Sequence, residues 1–153
     1  MAYCNELFYL IVETYFVLDY FNAYNFFWHA FFCSRMSLIL KLMSGVALAG
    51  MAEGMALADR AGLQQKDILE VLQLTGLACP MLIEKGKAII DGSFPPNHPL
   101  QHMQKDLKLS LNMGDQLEQP LPLTATANEV FKHAKRLGYG EHDTSAVYIR
   151  ARF

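Results

Sequence analysis

Two histidines, His98 and His102, stand four residues apart and are the first candidates for chemistry in the sequence. On a helix that spacing puts two imidazoles on one face, where they can bind a transition metal. Pro99 interrupts the pair, no third ligand stands beside it, and the HExxH pattern is absent. The sequence therefore predicts no metal site, and we expect both imidazoles to be solvated or hydrogen-bonded. The remaining histidines are scattered: His29, His133 and His142.

Cys79 is the one cysteine at a position that favours reactivity. It precedes Pro80 at the start of a predicted helix, where a thiolate is stabilised. A small packing side chain is the alternative use of this cysteine, and we favour it. The chain has no GxSxG, GxGxxG or GxxxxGK pattern. It therefore offers no serine nucleophile of the usual kind and no common nucleotide-binding loop of its own.

The composition is that of one domain with enough apolar material for a core. Of 153 residues, 52% are hydrophobic and 18% are charged, which excludes a disordered charged tail, a collagen-like repeat and a charged coiled coil. The 13 Lys and Arg residues against 15 Asp and Glu provide no basic surface for direct nucleic-acid binding. Three cysteines without a CxxC pattern indicate neither a disulfide framework nor a zinc site, and favour a reducing compartment.

Residues 1–35 form an aromatic-rich N-terminal segment, since 13 of the 18 aromatic residues lie in the first 32 positions. Residues 1–34 contain no Lys, Arg, Gly or Pro, so a cationic secretory signal is not expected. Acidic residues interrupt the apolar runs, which makes a membrane span the least favoured interpretation. Two others stay open: a weakly packed helix, or sequence that is not native to the coding frame.

Residues 36–153 are predicted to form a helical domain. Apolar periodicity and breaker residues predict helices over Met36–Ala61, Gln65–Leu74, Cys79–Ile90, Leu100–Leu117 and Leu123–Leu137. The stretch from Asp143 to Tyr148 is expected to cap and begin a short final helix, with Asp143 as the cap. No segment alternates as a strand does, so the predicted fold class is all-α. In the fourth helix an apolar stripe is expected to be buried: Leu100, Met103, Leu107, Leu111 and Gly114.

Several stretches of the chain resemble one enzyme family. They are Ala52-Glu53-Gly54 to Ala58, Gly62-Leu63, Ile68-Leu69, Phe94 to Lys108 with Lys105-Asp106-Leu107 at its centre, Asn128-Glu129-Val130-Phe131, and Asp143 to Val147. Over about residues 36–150 the sequence resembles the C-terminal domain of the β-hydroxyacid dehydrogenases, which include 3-hydroxyisobutyrate dehydrogenase and glyoxylate reductases. The resemblance is strongest to a nuclear, chromatin-associated member whose dehydrogenase module follows a PWWP domain.

This resemblance implies a helical bundle like the C-terminal domain of 6-phosphogluconate dehydrogenase, which pairs through its long helix. The Rossmann half of the family is absent from the 153 residues, so NAD or NADP is expected to bind only when a Rossmann domain is supplied. By the resemblance, Lys105 contacts the cofactor and Asp106 lies near the substrate. From the residues alone, exposed helix charges are the favoured interpretation of both residues, and the resemblance reverses that preference.

The catalytic lysine of the family has no counterpart. In active relatives the long helix starts with Lys, followed by Asn four residues later and by Gly four residues after that. When this sequence is aligned to that pattern on Gly45 and Glu53, Ser37 falls at the Lys position and Lys41 at the Asn position. A serine hydroxyl cannot act as a general acid or base near pH 7. No catalytic residue is therefore expected, with Lys41, one turn further on, as a less favoured substitute. His98 falls where reductase relatives carry an aromatic substrate-contacting residue.

Three functions follow as hypotheses. The first is a catalytically silent module for oligomerisation and NAD(P) contact in a nuclear protein. Its partners would be a second copy of the chain and, through the full-length protein, chromatin-associated proteins. The second is an NAD(P)-dependent reductase of small hydroxyacids or semialdehydes, in the cytoplasm or mitochondria. The third is a membrane-tethered helical fragment, which the acidic residues of the N-terminal segment disfavour.

Overall fold

The structure is a computed structural model that describes residues 23–152, with side chains from Ser34 onward. Its α-helices are α1 (Ala23–Arg60), α2 (Gln65–Gln73), α3 (Pro80–Asp91), α4 (Leu100–Gln116), α5 (Pro122–Ala134) and α6 (Tyr148–Arg152). A π-helical turn, Lys135–Tyr139, follows α5, and a 3₁₀ turn, Thr144–Val147, precedes α6. Over the described residues there is no strand, only the isolated bridge between Pro99 and Asp143. The all-α prediction is confirmed.

The first helix is longer than predicted, because it begins at Ala23 and not at Met36. No Gly or Pro stands between Ala23 and Arg35, so nothing in the backbone chemistry ends a helix there. The compact helical unit described below begins at Ser37. The interpretations of residues 1–22 lie outside the described residues, and the limit at residue 35 stays a prediction.

The core forms where α1 and α4 pack closely. Leu48 and Met55 of α1, Leu100 and Leu107 of α4, and Phe131 of α5 are all at most 2% exposed. A Cβ built on Gly45 would lie 2.9 Å from Cδ2 of Leu107, so a larger residue here would force the buried Leu107 side chain to shift. The predicted stripe on α4 is confirmed, with Leu111 half-buried and the other four members buried.

Helix ends follow the breaker residues with one exception. Gly92 ends α3 in the left-handed region at φ +62°, and Cys79 caps its start by accepting from the Leu82 amide at 3.5 Å. The fifth helix was expected to reach Leu137 but ends at Ala134. The five-residue turn that follows contains Gly138 at φ +98°, a backbone conformation that breaks the α-helical hydrogen-bond pattern.

Within the described part of the chain, Ser34–Arg60 is the one segment long and apolar enough to cross a membrane by length and composition alone. Its best window has a mean hydropathy of 1.4 and is 28% buried. The core helix of a domain passes the same test, and Leu48, Ala52 and Met55 of this segment are core residues. Composition therefore does not assign the segment to a membrane.

The 3₁₀ turn Thr144–Val147 completes the core. Ala146 and Val147 are fully buried. Backbone hydrogen bonds join this region to the loop before α4: Leu100 N to His142 O at 2.8 Å, and Thr144 N to His98 O at 3.0 Å. The loop and the C-terminal segment therefore hold each other in place.

Candidate functional site

Polar side chains gather where the loop before α4 enters that helix. The rings of His98 and His102 have centroids 6.4 Å apart and are tilted by 44°. Asp106 follows one turn after His102 and is half-buried, while Lys105 beside it is exposed. The Leu100 amide donates to the His142 carbonyl and the Thr144 amide donates to the His98 carbonyl; these bonds fix the loop, so the four side chains stand on a rigid support.

Ser110 links this part of α4 to the turn of α1 that carries Ser37 and Lys41. Its buried hydroxyl lies 2.9 Å from the Asp106 carbonyl oxygen and 3.2 Å from the Leu38 carbonyl oxygen. Both carbonyl oxygens are acceptors for the one hydroxyl hydrogen. Leu38 follows Ser37 directly, so the link joins the backbone beside Ser37, the family lysine position, to the backbone of Asp106. Ser37 is exposed and Lys41 is half-buried.

Within this group of side chains, His98 has a shifted pKa. Burial lowers its pKa below the ordinary value of 6.5, and the positive charge of Lys41 lowers it further. Asp106 and, more weakly, Asp143 raise this pKa, whereas His102 lowers it slightly further. Nε2 of His98 is buried and has no hydrogen-bond partner among the described residues. A neutral imidazole is therefore the favoured form at neutral pH.

Asp143 holds the loop before α4 in place through its carboxylate. One carboxylate oxygen accepts from Lys85 Nζ at 3.0 Å and from the His98 amide at 3.2 Å; the other accepts from the Ser145 amide at 3.0 Å and its hydroxyl at 2.7 Å. Burial alone raises the pKa of Asp143, but the hydrogen bonds from Ser145, Lys85 and His98 outweigh it and lower the pKa to about 2.

Lys85 extends this anchor to α3. Its Nζ also lies 3.2 Å from Glu84 Oε1, which accepts from the Asn97 side-chain amide at 3.0 Å. The hydrogen bond from Asn97, and then that from Lys85, lower the pKa of Glu84. The sequence predicted Asp143 as a helix cap, which its bond to the Ser145 amide supplies, but it missed the pairing with Lys85. No local pattern marks a pair 58 residues apart.

The other predicted residues are placed as follows. Cys79 serves as a cap and lines a shallow apolar cavity with Pro80 and Ile83. No set of three or more His, Cys, Asp or Glu residues within the described ranges could hold a metal ion.

Comparison with known proteins defines the class of this fold and site. Residues 34–151 match the family model described as the NAD-binding domain of NADP-dependent 3-hydroxyisobutyrate dehydrogenase, and the chain belongs to this family. Among solved structures, it is similar to 3-hydroxyisobutyrate dehydrogenase (ygbJ) from Salmonella typhimurium, with 34% identity and a TM-score of 0.72. That similarity covers 74% of this chain and 40% of the Salmonella chain.

Two curated relatives are more particular. The chain is 68% identical over 120 residues to the cytokine-like nuclear factor N-PAC of Aedes aegypti, covering 78% of this chain and 22% of that protein. It is 39% identical over 120 residues to glyoxylate/succinic semialdehyde reductase 1 of Arabidopsis thaliana, covering 78% of this chain and 42% of that protein. The chain thus spans about a fifth to two fifths of the length of these relatives.

Proposed function

We propose that this chain is a catalytically silent dehydrogenase-like module that contributes one wall of an NAD(P) site and associates with itself. The observation that supports the proposal is the Ser110 hydroxyl, which links the carbonyl oxygen of Leu38, next to Ser37, to that of Asp106, next to Lys105. Ser37 stands where the family needs a lysine. The cofactor-facing residues of the family motif are kept, while the proton-transfer group is replaced.

The residues near α4 fit part of a dinucleotide site. Lys105 is an exposed cation, and a cation at the surface suits the phosphates of NAD or NADP. No glycine-rich phosphate loop occurs in the 153 residues, so Lys105 provides one contact and a Rossmann domain must provide the rest. When bound, the cofactor would supply a hydride; what this chain supplies is charge and orientation.

The proton-transfer step has no suitable group at Ser37. Its hydroxyl keeps its proton far above neutral pH, so it cannot exchange a proton with a substrate hydroxyl at a useful rate. Asp106 is half-buried beside a neutral His98 and can orient a polar substrate group, but orientation alone does not move the proton. Binding without turnover is the consequence.

The alternative is an NAD(P)-dependent reductase of small hydroxyacids or semialdehydes, and one observation favours it. Lys41 is close enough to His98 to lower its pKa, so a cationic amine does stand near the predicted substrate position. The Arabidopsis relative carries the name of such a reductase. In this case Lys41 replaces the family lysine from one turn further along α1.

The cellular setting comes from the relatives. Several proteins at 40–68% identity are named nuclear factor N-PAC, which supports a nuclear location and chromatin-associated partners for a longer protein that contains this module. The composition supports no direct nucleic-acid contact by this chain, and the membrane interpretation stays disfavoured. A cytoplasmic or mitochondrial location belongs to the reductase alternative.

A chimera separates the two functions. The Rossmann domain of an active family member is fused ahead of this chain, and NADPH-dependent reduction of glyoxylate and succinic semialdehyde is measured. The silent module predicts no turnover, and the double variant Ser37→Lys with Lys41→Asn should restore it by about 10²–10⁴ over background. Turnover with Ser37 intact that is lost in Lys41→Ala supports the reductase instead.

Cofactor contact is tested in the same chimera by equilibrium binding of NADPH. Lys105→Ala should weaken binding about tenfold or more, because a charge-assisted hydrogen bond to phosphate is lost. Lys108→Ala is the matched control, since Lys108 is an exposed lysine of the same helix one turn further on. Equal affinities of the two variants would remove Lys105 from the site.

A further inference from the structure

A cavity of about 330 Å³ lies between the ends of α1 and α3 and the last helix, α6. Its apolar wall includes Ile89 and Phe94. Asp59 also lines it, about 33 Å along α1 from Ser37, so the cavity is separate from the side chains around His98. This volume is at the small end of the range for ligand pockets and suits a molecule of amino-acid size.

One hydrogen-bond donor in the wall of the cavity, the Tyr148 hydroxyl, has no acceptor among the described residues. Tyr148 is 5% exposed, and its oxygen accepts from Gln65 Nε2 at 2.6 Å; both residues line the cavity. Gln65 Nε2 also donates to the Met55 carbonyl oxygen at 3.3 Å, so the amide nitrogen is fully used as a donor and the hydroxyl hydrogen is left over. A buried donor without an acceptor is costly, so a bound molecule with an acceptor oxygen is favoured here.

Asp91 carries a negative charge at a position where its helix disfavours one. It is the last residue of α3, and the last turn of that helix contains no basic residue. The C-terminal end of a helix bears a partial negative charge, which repels a carboxylate. No ion pair or hydrogen bond of its side chain to another described residue compensates Asp91, which lines the cavity. A positively charged group bound in the cavity would provide the missing partner.

Arg152 provides a positive charge at the same cavity. Its Nε lies 3.9 Å from Asp59 Oδ2, and the two side chains are 55% and 45% exposed, so this ion pair is a loose one. The N–H donors of the guanidinium therefore stay largely available to a ligand carboxylate. Tyr148 precedes Arg152 by four residues on α6, so both side chains lie on one face of that helix and one carboxylate can accept from both.

We propose that this cavity binds a free amino acid with an apolar side chain. The ammonium group pairs with Asp91, and the carboxylate accepts hydrogen bonds from Arg152 and from the Tyr148 hydroxyl. The apolar side chain packs on Ile89 and Phe94. A simple amine would leave the Tyr148 hydroxyl without an acceptor, and a simple carboxylic acid would leave Asp91 without a cation. The proposal does not depend on the proposed function, because none of the residues assigned there to cofactor or substrate lines the cavity.

Isothermal titration calorimetry on the full chain tests the ligand class, with L-valine, L-leucine and L-phenylalanine as probes. At least one of them should bind with a Kd of about 1 mM or lower. The amide of that amino acid lacks the negative charge, and the matching acid without the amino group lacks the positive charge. Each of these two analogues should bind at least about tenfold more weakly. Absence of binding by all three amino acids overturns the proposal. Equal affinity of the amide would indicate the N-terminus of a peptide and overturns the assignment to a free amino acid.

Substitutions in the full chain test the site itself. Asp91→Asn should weaken binding about tenfold or more, because a charge-assisted contact is lost. Asp115→Asn is the matched control, since Asp115 is an exposed carboxylate in the last turn of α4 that does not line the cavity. Neither variant should lower the urea midpoint of the unliganded chain, because each carboxylate opposes the dipole of its helix. Tyr148→Phe should weaken binding about fivefold while circular dichroism shows a folded chain. Equal affinities of Asp91→Asn and Asp115→Asn for the amino acid overturn the proposal.

Discussion

The buried ion pair between Lys85 and Asp143 should be a large local contributor to stability. The side chains are 9% and 4% exposed, and the charged atoms lie 3.0 Å apart. Asp143→Asn keeps the size of the side chain but removes its charge, which leaves a buried ammonium group. Breaking such a pair costs about 3–5 kcal/mol. Because Glu84 stays 3.2 Å from Lys85, we expect the lower end, about 3 kcal/mol.

The Asp143 carboxylate also gives the stability a defined pH dependence, through the hydrogen bonds from Ser145 first and those from Lys85 and His98 after them. The pKa of Asp143 is about 2 in the folded chain against an ordinary value of 3.8, so folding favours the charged form. Its contribution, about 2 kcal/mol, is fully present above pH 3.8 and is lost as the pH falls through about 2. Asp143→Asn lacks this contribution, so the difference between the two proteins should shrink below pH 4.

Urea unfolding followed by far-ultraviolet circular dichroism measures both effects. The matched control is Glu129→Gln, which removes an exposed ion pair of similar length, 3.1 Å to Lys132, and should change the free energy of unfolding by at most about 0.5 kcal/mol. Adding Lys85→Met to Asp143→Asn should recover part of the loss, since no buried charge is then left unpaired. If Asp143→Asn costs no more than the control, the argument for a buried anchor is wrong.

Three further substitutions test the packing by the same unfolding assay. Leu107→Ala should cost about 2–5 kcal/mol because the side chain is fully buried, and a change within about 0.5 kcal/mol would mean that α4 packs on a different face. Gly86→Ala should cost about 1–3 kcal/mol, because the added Cβ would lie 2.5 Å from Met51 Cε and 2.6 Å from Leu69 Cδ1; an unchanged midpoint would show that both side chains move aside. Gly92→Ala should cost about 1 kcal/mol since φ is +62° there, and a stabilised variant would contradict the left-handed end of α3.

Much of the fold could be predicted because it is encoded locally. The spacing of Leu100, Met103 and Leu107 on α4 identified the buried face, and Gly92 and Pro80 marked helix ends. The predicted start of α1 at Met36 was wrong, because it was placed at a change in composition. No Gly or Pro stands between Ala23 and Met36, so the helix begins earlier, at Ala23. Local chemistry sets helix ends, and a change in composition does not.

The candidate site was less accessible to sequence reasoning. Its residues come from α1, α3, α4 and the C-terminal segment, and the contacts that assemble them join positions as far apart as Leu38 and Ser110. Periodicity reports only on neighbours along the chain, so the Lys85–Asp143 pair could not be seen. The roles of Ser37, Lys41, Lys105 and Asp106 came from the family resemblance and stay predictions, which the chimera tests.

The closing of the core by a late segment has a consequence for biosynthesis. Residues 143–147 fill the centre of the bundle and tie down the loop before α4, yet they leave the ribosome only after α1 to α5 have emerged. Until they emerge, Phe131 and Leu100 lack a full set of neighbours and the earlier helices present apolar surface to the cytosol. A stop codon shortly before Asp143 should therefore yield a chain that chaperones retain, even though it would contain nearly every helix of the domain.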